Sequence, residues 1–166
     1  MKFFLTLLTV LILQTTFSQT MVNSKTYGTL EFKELEYGLA KVKGGTTENL
    51  SNSPTGTHRW LKDFEIIKQT HSINVLPKAN FGVVYIVNSK DTVDIEIDIE
   101  WIYPEKITNE KGEKFKRIKY RTKRPTNIPS ASSYSLDEHY ELGKGNWQMN
   151  IYIENKRVCS KTFVLY

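Results

Sequence analysis

Three histidines, one cysteine and several runs of carboxylates are the residues of this chain best equipped for chemistry. The tightest group is LDEHYEL, residues 136–142. On an extended strand Asp137, His139 and Glu141 share one face, because side chains alternate with a period of two. An imidazole between two carboxylates could ligate a metal such as zinc, or serve a small hydrolase with His139 as its base. The same pattern describes an ordinary solvated strand face, since Tyr134, Leu136, Tyr140 and Leu142 supply an apolar opposite side. Ligation needs donors that converge, and a flat strand row rarely converges. His58 and His71 are far from His139 in sequence and form no HExxH pattern. Cys159 is the lone cysteine, so it has no internal disulfide partner. A thiol nucleophile needs a base held against it, and nothing in the sequence places one there. Cys159 is expected to be a quiet, buried, small hydrophobe.

Other catalytic signatures do not occur. There is no GxSxG elbow, and the glycines of GGTTENLSNSPTGT, residues 44–57, lack the lysine of a phosphate-binding loop. That stretch reads as a long surface loop. Three tryptophans, nine tyrosines and eight phenylalanines would allow stacking on sugar rings if two rings lay coplanar on the surface. Burial in a core is the default for such residues. The non-enzymatic reading is therefore preferred, with no cofactor and no metal, and a carbohydrate-binding module is the first alternative.

The elements that would position these residues are strands. In TVDIEIDIEWIY, residues 92–103, Val93, Ile95, Ile97, Ile99 and Trp101 fall on one face. Asp94, Glu96, Asp98 and Glu100 fall on the other, which is the signature of a half-buried strand. KFKRIKYRTKR, residues 114–124, turns Ile118 and Tyr120 inward and Arg117, Lys119, Arg121 and Lys123 outward. A hairpin closed around residues 108–112 sets an acidic row beside a basic row. These eight charged residues form the candidate interaction surface, with the 44–57 loop as a second contact region. Such cross-strand pairs are worth only about 0.2–1 kcal/mol each, and exposed charge rows are usually solvated strand faces, so a purely structural role for the rows is the first reading and a contact surface the second.

Further strands are expected at residues 34–43, 61–69, 81–87, 133–142, 147–154 and 157–165, separated by turn-forming clusters. Residues 60–67 are the one apolar stretch worth testing as a helix. In the closing stretch, Trp147, Met149, Ile151 and Ile153 make an apolar face, and Asn155-Lys156 suits a tight turn. Beyond it, strict alternation would expose Phe163 and Leu165, so a bulge that swaps the faces is expected between Cys159 and Lys161.

The first residues are a targeting signal rather than fold. Lys2, an apolar run over residues 3–13 and the small residues Thr16 and Ser18 describe a secretory signal peptide ending at residue 18. The run is too short to span a bilayer. Residues 19–34 read as a polar lead-in, and 35–166 as one domain large enough to bury its own core. The net charge of +5, one unit of it from Lys2, is compatible with anionic surfaces. Together with export it argues against nucleic acid as a partner.

Four pieces resemble the uncharacterised bacterial family known as domain of unknown function 3859. They are YGLAKV (37–42), NFGVVYIV (80–87), YPEKITNEKG (103–112) and YELGKGNWQMNIYIENKRVCSKTF (140–163). The chain departs at Gly143-Lys144, where the family pattern leads one to expect proline. A Gly-x-Trp strand, a turn and a Lys-x-Phe strand also resemble the end of many immunoglobulin-like secreted domains. The resemblance implies architecture and brings no activity, cofactor or site residue. The expectation is an all-β, immunoglobulin-like antiparallel sandwich of about 7–9 strands. It would be exported to the periplasm or cell surface and bind a protein or polysaccharide there.

Overall fold

The computed structural model describes residues 24–27 and 29–166. The expected signal peptide lies outside the described residues. Among the described residues there are twelve strands and one 3-10 turn, His139–Glu141. No helix among them is long and apolar enough to cross a membrane.

Eight strands of six residues or more correspond to the alternating stretches of the sequence, and they build two facing sheets. In the first, β2 (Leu30–Lys43) pairs with β7 (Asn80–Asn88), which pairs with β10 (Ser130–Ser135). β1 (Ser24–Tyr27) and β5 (Asp63–Gln69) pair with opposite ends of β2. The second sheet runs β6-β12-β11-β8-β9. Its members are β6 (Ser72–Ile73), β8 (Asp94–Thr108), β9 (Lys114–Pro125), β11 (Gly145–Ile153) and β12 (Lys156–Leu165). Only β6 and β12 run parallel among the pairs described. The strands number more than expected because polar stretches supply the short β1, β3, β4 and β6. β1 and the start of β2 occupy the segment read as a lead-in.

The core lies between the sheets. Phe32, Phe81, Val83, Tyr85 and Val87 pack against Ile97, Ile99, Trp101, Trp147, Met149, Ile151 and Phe163, all at most 2% exposed. Each large side chain so buried contributes about 1.5–3 kcal/mol. The aromatics meet edge to face: Phe81 crosses Trp101 at 87° and 5.5 Å, and Tyr134 meets Trp147 at 61° and 4.9 Å. Two motif glycines explain themselves here. Gly38 of YGLAKV has φ +141°, and a Cβ on it would lie 2.1 Å from the Lys68 carbonyl oxygen of β5. Gly145 of Gly-x-Trp has φ +119°, and its Cβ would press on Pro104 at 2.8 Å.

Several sequence expectations are corrected. Val93 is half exposed, because the strand begins at Asp94 and the Val93 N–H is drawn to Thr126 Oγ1 (2.9 Å). Residues 60–67 form the end of β4 and part of β5, not a helix. The 44–57 loop is a hairpin of β3 (Thr46–Asn49) and β4 (Thr57–Trp60), although all four β3 residues are exposed. Its tip folds back on the body. Asn52 donates to the Lys119 carbonyl of edge strand β9 (2.9 Å), and the Pro54 carbonyl accepts from Asn109 (3.2 Å) and Tyr140 (3.4 Å). The hairpin thereby covers part of an edge that would otherwise invite another strand.

The closing hairpin turns at Glu154-Asn155, both at positive φ, one residue earlier than Asn155-Lys156. The bulge that swaps its faces is present and also lies earlier than expected. Arg157 pairs with Tyr152 and Cys159 with Ile151, which leaves Val158 as the extra residue. Cys159, Lys161, Phe163 and Leu165 consequently face inward with Ile151, Met149 and Trp147. A second bulge in β2 leaves Leu35 unpaired between Glu34 and Glu36. Together the two bulges bring Glu34 and Lys161 into contact across the sandwich, with Lys161 Nζ 2.6 Å from Glu34 Oε1.

Candidate functional site

The acidic and basic rows meet as the sequence suggests. β8 and β9 pair antiparallel with Glu96 opposite Lys123, Asp98 opposite Arg121 and Glu100 opposite Lys119. Arg121 Nε donates to Asp98 Oδ1 at 2.8 Å and its NH1 lies 3.6 Å from Glu96. Lys119 reaches Asp98 at 3.4 Å, and Arg117 reaches Glu100 at 3.3 Å. β11 closes the array from the other side: Tyr152 donates to Glu100 Oε2 at 2.7 Å and Asn150 donates to the same oxygen at 3.1 Å. Asp94 stands opposite Pro125, and neither Asp94 nor Lys123 has an ion pair among the described residues.

The eight formal charges of this surface cancel, but they lie at different depths. The Asp98 and Glu100 side chains are 11% and 7% exposed, whereas those of Arg121 and Arg117 are 60% and 70% exposed. Asp98 and Glu100 form a buried floor beneath the guanidinium groups, whereas Asp94 and Glu96 are exposed, Glu96 at 59% beside Arg121 at 60%. Hydrogen bonding from Arg121 holds the Asp98 carboxyl below its ordinary range. For Glu100 burial pushes upward, but the bonds from Tyr152 and Asn150 outweigh it and the carboxyl stays low. Both acids therefore remain ionised near neutral pH. An open groove of about 350 Å³ adjoins the array, between Ile95, Asp98, Arg121, Tyr152 and Ile153.

The LDEHYEL group behaves differently from its strand reading. β10 ends at Ser135, and the chain curls into the 3-10 turn. The reason is local. Glu141 turns inward, accepts the backbone N–H groups of Asp137 and Glu138 at 3.0 Å each, and accepts the Tyr134 hydroxyl at 2.6 Å. A carboxylate that takes three donors within its own segment replaces the ladder that a strand would need. Asp137, His139 and Glu141 are thus not on one face: Glu141 is 1% exposed, His139 is exposed, and Asp137 pairs with Arg59 and Lys78 at 3.4 Å. Burial raises the Glu141 carboxyl above its usual range. The donor atoms that do approach one another are those of Glu110, Glu138 and His139, within 4.8 Å and all exposed. Exposed acids beside a histidine are common without a metal.

The remaining chemistry-bearing residues are dispersed. His58 packs on Tyr120 at 4.6 Å and His71 on Tyr37 at 4.4 Å. Burial lowers the affinity of His58 for its proton. Cys159 is 5% exposed, with its sulfur 3.7 Å from Glu34 Oε2. Trp101 and Trp147 are core, and the Trp60 ring carries the Arg124 guanidinium at 4.9 Å. Sequence reasoning missed the Lys161–Glu34 pair, the Tyr152 and Asn150 supports of Glu100, and a cavity of about 100 Å³ under the β3–β4 hairpin. The polar residues of β11 offered a signal, because Asn150 and Tyr152 lie on the same outward row.

Against this geometry the family comparison is decisive. The profile of a family described as Domain of unknown function (DUF3859) matches residues 29–165. The chain belongs to the DUF3859 family. The matched span runs from just before β2 through β12, so both sheets of the DUF3859 domain fall within it apart from the short strand β1. Its fold is similar to the crystal structure of an immunoglobulin-like protein from Pseudomonas aeruginosa, with a TM-score of 0.59 at 17% identity. That likeness covers 90% of this chain and 99% of the other, and at such identity it shows the fold alone. A DNA-bound alkylpurine DNA glycosylase from Pseudomonas fluorescens aligns with 57% of this chain and 27% of its own at 11% identity. Its TM-score of 0.33 carries no argument. No curated protein matches this DUF3859 domain.

Proposed function

We propose that this DUF3859 domain is an exported, non-catalytic binding module of the cell envelope, and that it meets an anionic protein or polysaccharide with the outer face of β8 and β9. The observation that carries this reading is the layering of charge: Arg117, Lys119 and Arg121 are exposed above acids that are nearly buried. Over Asp98 and Glu100 a partner approaching from solvent meets donors first, while the exposed Glu96 borders that basic patch. Guanidinium groups suit carboxylate, sulfate or phosphate, since their forked N–H groups bind oxygen pairs. Rim charges of this kind act on encounter rate and selectivity more than on raw affinity. The pattern of residues 1–18 supports export to the periplasm or surface, and export argues against a nucleic-acid partner.

The competing hydrolase reading, built around His139, finds little support. It would need a base and two acids converging on a cleft. Here Glu141 is committed to Tyr134 and the backbone, and His139 lies outside on the turn.

The test is retention on an immobilised polyanion such as polygalacturonate, compared between the native protein and Arg121→Glu/Lys123→Glu. Elution of the variant at clearly lower salt, with an unchanged circular dichroism spectrum, is expected. Identical salt profiles would sink the assignment of the surface.

A further inference from the structure

A second group of cations lies around the edge of β9, away from the outer face. Arg124 stands opposite Ile95 in the β8–β9 pairing, so alternation puts it on the inward row with Ile118, Tyr120 and Thr122. Charged side chains on a core-facing row usually have a charged partner. Arg124 has no ion pair among the described residues. Its NH1 donates only to neutral acceptors of its own strand, Thr122 Oγ1 at 2.8 Å and the Lys123 carbonyl at 3.0 Å. The guanidinium lies 4.9 Å from the centre of the Trp60 ring.

Arg124 and Trp60 both line an open groove of about 290 Å³, bounded by the end of β4 and by the edge strands β9 and β10. Its cations are Arg59, Lys62 and Arg124, and no carboxylate lines it. Asp137 offsets Arg59 at 3.4 Å, whereas the exposed Lys62 has no ion pair among the described residues. Glu48 stands opposite His58 across the β3–β4 hairpin but lies outside the lining. The positive charge is felt inside the groove. Burial first, and then Arg124, lower the affinity of His58 for its proton, against a smaller opposing pull from Glu48. His58 is therefore neutral near pH 7, and the groove keeps two uncommitted cations.

An oxyanion supplies what these two cations lack. The forked N–H groups of a guanidinium suit the paired oxygens of a carboxylate. An apolar guest would take water from both cations and return nothing. Volume argues against a bare ion: about 290 Å³ is the share of roughly ten liquid waters at ~30 Å³ each, and a lone sulfate would leave most of that space to solvent. The rest of the lining suits a hydroxylated ring. Ser130 and Ser133 offer hydroxyls that both donate and accept. β10 pairs only with β7 among the described strands, so backbone N–H and C=O groups along its other edge stay open. Tyr120 and Trp60 add ring surface for C–H groups.

We infer that the groove between β4, β9 and β10 binds one sugar acid of uronate type, with Arg124 and Lys62 holding its carboxylate and β10 meeting its hydroxyls. The site is separate from the outer face of β8 and β9 and does not rest on that reading, because none of the eight charged residues of that face lines the groove.

The experiment is a titration of the purified protein, labelled with ¹⁵N at its indoles, at constant ionic strength. D-galacturonate is added in one arm, D-galactose in a second and sodium sulfate in a third. The three indole N–H resonances are those of Trp60, Trp101 and Trp147, and Trp60→Phe assigns its own by loss. A saturable shift of the Trp60 resonance with galacturonate is expected, with Trp147 steady and with much weaker binding of galactose and sulfate. Arg124→Gln should weaken the response about tenfold or more, and Lys62→Gln, at an exposed residue that the fold does not need, about threefold to tenfold. Lys156→Gln removes an equal charge at the turn of the closing hairpin and should leave the binding unchanged. Four results overturn the proposal. Galactose binding as tightly as galacturonate means that the carboxylate contributes nothing, and sulfate doing so means that the sugar ring contributes nothing. A shift that both Arg124→Gln and Lys62→Gln leave unchanged, or that Lys156→Gln weakens as much as they do, means that these two cations do not hold the ligand. No saturation by galacturonate means that there is no site.

Discussion

Replacing Lys161 by Met while keeping Glu34 should destabilise the protein by about 3–5 kcal/mol. The two side chains are 10% and 11% exposed, the ammonium lies 2.6 Å from the carboxylate, and it also sits 3.8 Å above the Tyr37 ring. Removing the cation strands a carboxylate between two sheets, where its other side-chain hydrogen bond among the described residues is from the Cys159 sulfur at 3.7 Å. The magnitude follows from that stranded charge rather than from the Coulomb attraction of the pair, because assembling the pair already cost desolvation of both ions. Against a total stability of about 5–15 kcal/mol the loss is large. It corresponds to a fall in Tm of roughly 10–15 °C for a domain of this size. The double variant Lys161→Met/Glu34→Leu removes both charges and should return to within about 1 kcal/mol of the native protein. Urea unfolding followed by tryptophan fluorescence measures all three proteins. If the single variant costs less than about 1 kcal/mol, Glu34 is finding solvent and the burial argument fails. A double variant as damaged as the sum of both single changes would refute it equally, since the two groups would then be acting independently.

Two other outcomes can be checked. Because Arg121 holds the Asp98 carboxyl low in the folded state, the stability it contributes is fully present above the unfolded value near pH 3.9 and is lost as pH falls through the lower folded value. Asp98→Asn should therefore be less stable than the native protein at pH 7, yet lose less on going from pH 5 to pH 2, as read from thermal melts across that range. Deleting Val158 removes the extra residue and leaves Cys159, Lys161 and Phe163 opposite Ile151, Met149 and Trp147, so Phe163 and Leu165 stay inward; a cooperative melt lowered by about 1.5–3 kcal/mol for the lost buried valine is expected, and loss of cooperative unfolding would show that the bulge itself is needed for the register.

The parts of the fold that were legible in sequence are those where one local pattern decides the outcome. The apolar row of β8 is buried from Ile97 through Tyr103, and the neighbouring basic row pairs with its acids in the register that opposite charges favour. Lys161 shows what a pattern cannot give. Under strict alternation its side of β12 is fixed by counting from the turn; the early turn keeps the same residues inward, and it is the extra residue Val158 that reverses the count. Glu141 fails for a different reason. Its alternation is that of a strand, yet its carboxylate can satisfy the backbone locally, and hydrophobic period does not register that competition. The β3–β4 hairpin carries almost no apolar signal because it packs through a carbonyl, an amide and small side chains at its tip.

The strand order has a consequence for how quickly the molecule can assemble. β8–β9 and β11–β12 join neighbours in sequence and can form within about 1–10 μs as hairpins. The central joins are of another kind: β2 must find β7 and β8 must find β11 across long intervening stretches, and β2 meets β12 from opposite ends of the domain. Loop-closure entropy is spent at each of those joins before burial repays it. Folding on the millisecond-to-second scale is the corresponding regime for sandwiches. The Glu34–Lys161 contact needs both sheets and both bulges in place, so it belongs on the native side of the transition state. Its role in kinetics is then to slow opening rather than to speed closure, which makes the buried pair a latch on the finished fold.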